Sequence, residues 1–392
     1  MGKKFIIGFI YIRDSNWIGG TYYIENIISA FKLLPPANRP FLKIYCYSRG
    51  EFNDLKSRTE YDQMSPVYII YRNIFIRLLN RIAIRILGKH ALVPTLDSRV
   101  DILFPANNHG QFKNFRNKFY WIPDFQEYYY PDFFSGSERI FRKEEHQKII
   151  AGEHPILFSS NSAFSDFKKY YKHAKNALYT IPFAVTLPKV DGINLSDLKK
   201  KYSIMGDYYV SSNQFWAHKN HIGLLLAVQI LRDRHNLNLP IVFVGADKGN
   251  QKYIEQVVTD LQLEQVYFLG FVEQEQLVWL YLHAFALVFP TFFGPDNLPP
   301  LEAFALGCPV IASRVAGAVE QLGNAALLFD PTRPEELAIA IESLWSNLEL
   351  RQGFIDRGLL RAHEWTAINY VQNICQILDE FALIRRCWIN SQ

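Results

Sequence analysis

The sequence predicts an α/β protein of two doubly wound domains, and three observations carry that expectation. The chain has 392 residues, more than a single hydrophobic core usually supports. Residues 286–330 read as an apolar strand, a Gly/Pro/Asp/Asn turn, a helical pattern and a second apolar strand. Short strands of buried type alternate with helical patterns along most of the chain, as in parallel sheets wound by helices. These signals place a first domain at 1–184, a second at 200–366 and a final helix at 367–386.

Composition narrows the functional classes. An apolar fraction of 49% and a charged fraction of 20% are those of an ordered globular protein. A net charge of +4 without a recognised nucleic-acid motif argues against nucleic acid as a partner. Cys46, Cys308, Cys375 and Cys387 are widely spaced and form no metal-ligand grouping, so they read as reduced, cytosolic and structural. No run approaches the roughly 18 apolar residues of a membrane span, and Phe5–Ile12 is interrupted by Arg13 and Asp14, so it is expected to be a first strand rather than a signal sequence.

In the first domain, the strand over 4–12 leads into a loop over Asn16–Thr21 and a helix over Tyr22–Leu34. Gly19 and Gly20 in that loop would let backbone N–H groups approach a ligand closely. Phe41–Tyr47 is a second strand, and Glu51–Ser65 is polar and uninformative. Over residues 71–90, Arg77, Arg81 and Arg85 recur every four residues with Lys89 beyond them, a basic amphipathic helix suited equally to an anionic membrane interface or to an ordinary surface. Strands over Val100–Phe104 and Lys118–Ile122 end near His109 and near Asp124 and Glu127, polar residues at strand carboxyl ends where open α/β sheets bind ligands. A linker is expected at 184–200.

In the second domain, the strand Asp207–Ser212 precedes a loop from Asn213 to His221 that carries Gln214 and Lys219. Further strands lie at Pro240–Gly245 and Val266–Gly270, the latter followed by Phe271 and Val272. After the strand near Ala286, the loop Gly294–Pro300 contains Asp296, Asn297 and Leu298, and its prolines suit a first helical turn. Such a unit sets a helix N-terminus at the edge of a sheet, which suits a diphosphate. Glu302, about one turn in, is placed either to accept hydrogen bonds from vicinal hydroxyls or to stand in solvent.

The stretch LPPLEAFALGCPVIAS, with Gly317 and Glu320 beyond it, resembles the donor-binding segment of GT-B glycosyltransferases, specifically glycosyltransferase family 4. YWIPDFQEYYYPDFFS, with Arg139, Arg142, Asn161 and Ser162, resembles the acceptor domain of the same family. The resemblance implies two Rossmann-like domains facing a central cleft, with the last helix crossing back to the first domain. It also implies a nucleotide-sugar donor, a glycan or lipid-linked acceptor and transfer with retention; no metal or other cofactor is expected, since no carboxylate cluster or Asp-x-Asp loop supplies hard-cation ligands. Lys219 aligns with a diphosphate lysine, and Phe271 and Val272 with residues that flank the nucleobase. The family's motif has two glutamates; Glu302 is the second, while Gly294 stands where the first is expected, and Gln214 stands where a phosphate-binding arginine is expected.

The expected catalytic set is therefore Glu302, Lys219 and Asp124. The donor-binding set is Gly19, Gly20, Asn213, Gln214, Phe271, Val272, Asp296, Asn297, Leu298 and Glu302. The expected activity is transfer of a hexosyl or deoxyhexosyl unit in bacterial surface polysaccharide or lipopolysaccharide synthesis, in the cytoplasm or at the inner face of its membrane. The two missing family residues also motivate a catalytically silent nucleotide- or glycan-binding scaffold, and the fold alone would admit a sugar-nucleotide epimerase.

Overall fold

The computed structural model describes residues 5–12, 18–69, 74–87, 92, 96–107, 112, 115–187, 204 and 206–389. Its first parallel sheet comprises β1 (Ile6–Ile10), β2 (Phe41–Cys46), β3 (Met64–Tyr68) and β4 (Ile102–Leu103), in the order β3-β2-β1-β4. A second sheet, β5 (Tyr120–Ile122), β6 (Ile156–Phe158) and β7 (Leu178–Thr180), is joined to β4 by a parallel bridge between Leu103 and Lys118. Around them lie α1 (Ile18–Phe31), α2 (Arg49–Thr59), α3 (Ile74–Leu87), α4 (Gln126–Tyr129), α5 (Gly136–Ala151) and α6 (Asn161–Tyr170). The strands are apolar on both faces because helices cover them, and Phe9 packs edge-on against Phe31 and Phe104 in the core.

The second domain is a single sheet of β8 (Tyr209–Ser212), β9 (Ile241–Val244), β10 (Val266–Phe268), β11 (Ala286–Phe289), β12 (Val310–Ser313) and β13 (Ala326–Phe329). Its order, β10-β9-β8-β11-β12-β13, reverses direction between β8 and β11, where doubly wound sheets bind ligands. The helices are α7 (His221–His235), α8 (Gln251–Asp260), α9 (Gln274–His283), α10 (Leu298–Ala305), α11 (Ala318–Leu322), α12 (Pro334–Ser346) and α13 (Leu348–Glu364). The last helix, α14 (Ala367–Ile389), leaves this domain and buries Tyr370, Val371, Ile374 and Leu378 in the core of the first, with the Tyr370 hydroxyl donating to Tyr23 at 2.8 Å.

Two expectations are corrected. Gly19 and Gly20 are not in a loop: α1 starts at Ile18, so both glycines lie in its first turn. Tyr23, Ile27, Ile28 and Phe31 are buried along one side, and that packing carries two poor helix formers at the helix end. Residues 51–65 are not featureless, since they hold most of α2 and the start of β3. The missed signal is Ser48-x-x-Glu51, a capping box in which each side chain accepts from the other residue's N–H, and Ser135-x-x-Glu138 starts α5 in the same way. The expected linker at 184–200 and the acceptor candidate His109 lie mostly or wholly outside the described residues.

Candidate functional site

Glu302 sits on α10 at the carboxyl side of β11, one of the two strands that flank the reversal point, and is 8% exposed. The Tyr281 hydroxyl on α9 is 3.4 Å from its Oε2, and Ser212 Oγ at the end of β8 is 2.5 Å from that hydroxyl. Burial pushes the Glu302 carboxyl up to about 7, and the Tyr281 hydrogen bond only partly offsets it. From the first domain, Tyr22 on α1 comes close enough to feel the charges of Glu25, Glu302, Arg58 and Glu273. Arg58 of α2 reaches across the cleft to Glu273, Nη2 to Oε2 3.4 Å. The carboxyl thus stands between the domains beside hydroxyl groups, close to the protonation midpoint at neutral pH.

Lys219 ends a short turn after β8, with its ammonium 5.5 Å from the centre of the Phe289 ring. Burial lowers it to about 8, while the charge of Asp124 acts in the opposite direction. Asp124 belongs to the first domain, where its carboxylate receives Gln126 N–H at 3.3 Å; burial raises its pKa against the opposing influence of Arg142 and Lys219. An ammonium and a carboxylate on separate domains therefore lie within electrostatic reach of one another. An anion entering beside Lys219 would restore the favourable environment that burial removes from the ammonium.

The remaining expected residues divide by what they touch. Asp296 accepts Phe183 N–H from the first domain at 2.6 Å and also the Gln321 side-chain amide, so its oxygens are engaged between the domains. Asn297 turns its side-chain amide back to Gly294 O at 2.7 Å, and its N–H goes to Gln321. With Pro299 and Pro300 lacking N–H, the first turn of α10 offers fewer donors than its sequence position promises; Leu298, itself buried, contributes the remaining one. Gly294 has φ +146°, and a Cβ there would come within 2.6 Å of Asn297 Oδ1. A glutamate at this position would displace the Asn297 side chain and strain a backbone angle that favours glycine.

Gln214 accepts from the Trp216 indole at 3.0 Å, an engagement that a cation in its place would not make. Asn213 is 7% exposed at the end of β8. Val272 is core, packed with Trp279 and Leu280, whereas Phe271 is exposed, so the pair does not present a joint surface for a base. Glu127 is buried and pairs with Arg142 at 3.3 Å. Sequence reasoning missed Tyr281, Ser212, Tyr22 and the Arg58–Glu273 pair, because each is defined by a partner remote in the chain.

Glu320, noted as part of the turn beyond α10, also joins the domains. It accepts Asn161 N–H at 2.8 Å and Ser162 N–H at 3.3 Å, capping the N-terminus of α6 from the other domain. Gly317, at φ +82°, makes this approach possible, since a Cβ there would lie 2.2 Å from Pro295 O. Among the described residues, no three His, Cys, Asp or Glu side chains cluster as metal ligands.

Two cleft-facing domains with a crossing terminal helix define the GT-B fold, and solved structures of that fold match along nearly the whole chain. HepE from Anabaena, solved in complex with UDP and glucose, superposes with a TM-score of 0.68 at 16% identity, covering 96% of this chain and 100% of its own. Residues 197–361 match the family model described as glycosyl transferases group 1. The chain is 26% identical over 232 residues to O-antigen chain mannosyltransferase B of Escherichia coli, covering 58% of this chain and 61% of the relative. It is 27% identical over 240 residues to O-antigen chain mannosyltransferase RfbU of Salmonella typhimurium, covering 61% and 64%. The chain thus spans somewhat under two thirds of these curated relatives.

Proposed function

We propose that the protein is a retaining glycosyltransferase that moves a hexosyl or deoxyhexosyl unit from a nucleotide-sugar to an acceptor hydroxyl in bacterial surface polysaccharide or lipopolysaccharide synthesis. The observation that carries this reading is the placement of Glu302 and Lys219 after the two strands that flank the reversal point of the second sheet, within electrostatic reach of Tyr22 and Asp124 of the first domain. Glu302 holds ribose or sugar hydroxyls, and Lys219 takes the diphosphate charge as the leaving group departs, assisted by the first-turn N–H groups of α1 at Gly19 and Gly20. No metal is required in this scheme. The names of the O-antigen mannosyltransferase relatives favour mannose as the sugar.

Lys219→Ala is expected to reduce the thermal stabilisation given by GDP or UDP, because a ligand stabilises in proportion to its affinity for the folded state. Stabilisation by guanosine or uridine should change little. Equal loss for nucleoside and nucleoside diphosphate would show that Lys219 is not a phosphate contact.

Gly294 and the engagement of Gln214 with Trp216 favour, as a second reading, a binding scaffold that does not catalyse. Incubation with GDP-mannose or UDP-glucose separates the two. Hydrolysis or transfer sustains the enzyme, and binding without turnover sustains the scaffold.

The acceptor is proposed to be lipid-linked, at the inner face of the cytoplasmic membrane. Among the described residues no helix is long and apolar enough to cross a membrane. On α3, however, Phe75, Leu78, Leu79, Ile82 and Ile86 form an exposed stripe, with Phe75 78% and Ile86 72% exposed, and Arg81 and Arg85 are exposed beside it. An apolar stripe flanked by cations fits an anionic interface, each cation contributing about 1 kcal/mol. The protein should sediment with phosphatidylglycerol vesicles at low salt, and a variant with Leu78 and Ile82 changed to Ser should remain in the supernatant. Equal sedimentation of both would remove α3 as the docking element.

A further inference from the structure

A crevice of about 630 Å³ opens over the carboxyl ends of β11, β12 and β13, within the range of roughly 300 to 1,000 Å³ typical of ligand clefts. None of its lining residues belongs to the Glu302 or Lys219 centres. One face of it is aromatic, where Phe292 and Phe293 of the second domain pack against Tyr129 and Tyr130 of the first. Tyr129 is 5.1 Å from Phe293 between ring centres, and its hydroxyl is fixed by Asp166 at 2.6 Å. The polar floor holds Arg314, Asp330, Thr332, Arg333 and Glu336.

We infer that this crevice is a second carbohydrate subsite, which takes a neutral oligosaccharide, the part of the acceptor glycan that extends away from the transfer centre. The inference rests on the glycosyltransferase reading above. Aromatic rings opposite a rim of carboxylates, a hydroxyl and guanidinium groups match a pyranose, which has an apolar C–H face and hydroxyls around its edge. Charge balance excludes a phosphate site. Arg333 pairs with Glu336 at 3.2 Å and lies 3.9 Å from Asp330, and Arg314 is committed to Leu328 O at 2.9 Å, so two cations face two carboxylates. Asp330 is kept ionised by hydrogen bonds from Thr332, so it is an acceptor for sugar hydroxyls.

Both halves of the aromatic face are tied to the proposed transfer centre. Phe292 N–H donates to His218 O at 2.9 Å, directly before Lys219, and Tyr129 and Tyr130 lie on and just after the short helix that follows Asp124. A glycan whose terminal hydroxyl is presented near Asp124 therefore has this crevice beside its preceding sugars. The consequence is a preference for longer acceptors that involves neither Glu302 nor Lys219.

Isothermal titration with α-mannotriose and with mannose tests the assignment, alongside thermal shifts with GDP and UDP. The wild type is expected to bind the trisaccharide at least tenfold more tightly than mannose. Arg333→Gln and Tyr130→Leu should each weaken the trisaccharide at least fivefold and leave the nucleoside diphosphate shift unchanged. Unaltered trisaccharide binding in both variants, or its displacement by inorganic phosphate, overturns the subsite. If a nucleoside diphosphate stabilises the protein but no saccharide binds, the subsite fails and the glycosyltransferase reading stands. If neither binds, that reading fails as well.

Discussion

Glu302 and Asp296 lie on one loop and helix, six residues apart, yet their surroundings are opposite. Glu302 faces the cleft, with the Tyr281 hydroxyl as its partner and Tyr22 of the other domain within electrostatic reach. Asp296 is engaged on both oxygens, by Phe183 N–H from the first domain and by the Gln321 amide from its own. Spacing along the chain makes both acids candidates for holding donor. Partners separate them: a carboxyl with unused acceptor capacity toward a cleft can bind a ligand, and one already satisfied between two domains holds those domains together.

The comparison collapses if the loop carrying both acids is displaced, and Gly317 is the place to do it. Gly317→Val puts a side chain at φ +82°, where a Cβ meets Pro295 O at 2.2 Å. Strain and displacement together should cost about 3 kcal/mol or more. A lowered urea midpoint combined with loss of nucleoside diphosphate stabilisation is the expected result, and an unchanged midpoint would mean that the loop tolerates another path.

A smaller perturbation treats the acids separately. Glu302→Gln should leave the fold intact and reduce transfer on the order of tenfold or more, equivalent to one lost charge-assisted hydrogen bond of about 1.5 to 3 kcal/mol. Asp296→Ala should do the reverse, lowering the thermal midpoint by the roughly 1 to 3 kcal/mol of leaving buried donors unpaired, with a smaller change in turnover. Wild-type turnover in Glu302→Gln, or wild-type stability in Asp296→Ala, would erase the distinction.

The finest test uses pH. Burial raises the folded Glu302 pKa from 4.5 to about 7, so the neutral carboxyl is the form favoured by folding. Its contribution to stability is complete below about pH 4.5 and is lost as pH rises through about 7. Without ligand, the wild type should lose stability relative to Glu302→Gln across that window. In transfer assays the advantage of the wild type should be largest above pH 7 and shrink below it, where the protonated acid resembles glutamine. A pH-independent difference in both measurements would place the carboxyl in a more polar environment than its burial indicates.

Local signals decided most of the architecture. Apolar runs such as Pro240–Gly245 and Ala286–Phe289 are buried parallel strands because only a sheet covered on both faces accommodates them, and α13 spans Leu348–Glu364 as its periodicity requires. The capping boxes at Ser48 and Ser135 were equally legible and mark two helices that a survey of hydropathy overlooks. The position of Glu302 on the helix after β11 also follows from local pattern, since prolines start that helix and Gly307 ends it at φ +69°.

Tertiary structure alone decided what each polar residue meets. Asp124 within electrostatic reach of Lys219 is one such pairing, and Asp296 with Phe183 and Glu320 on the N-terminus of α6 are hydrogen bonds between the two domains, the last spanning 159 positions of sequence. No periodicity encodes such a pair, because periodicity reports only which face of one element is buried. Which partner stands across the cleft depends on how α14 and the interdomain contacts set one sheet against the other. That relative placement turned one carboxylate on the loop and helix after β11 toward the cleft and its neighbour into a tie between domains.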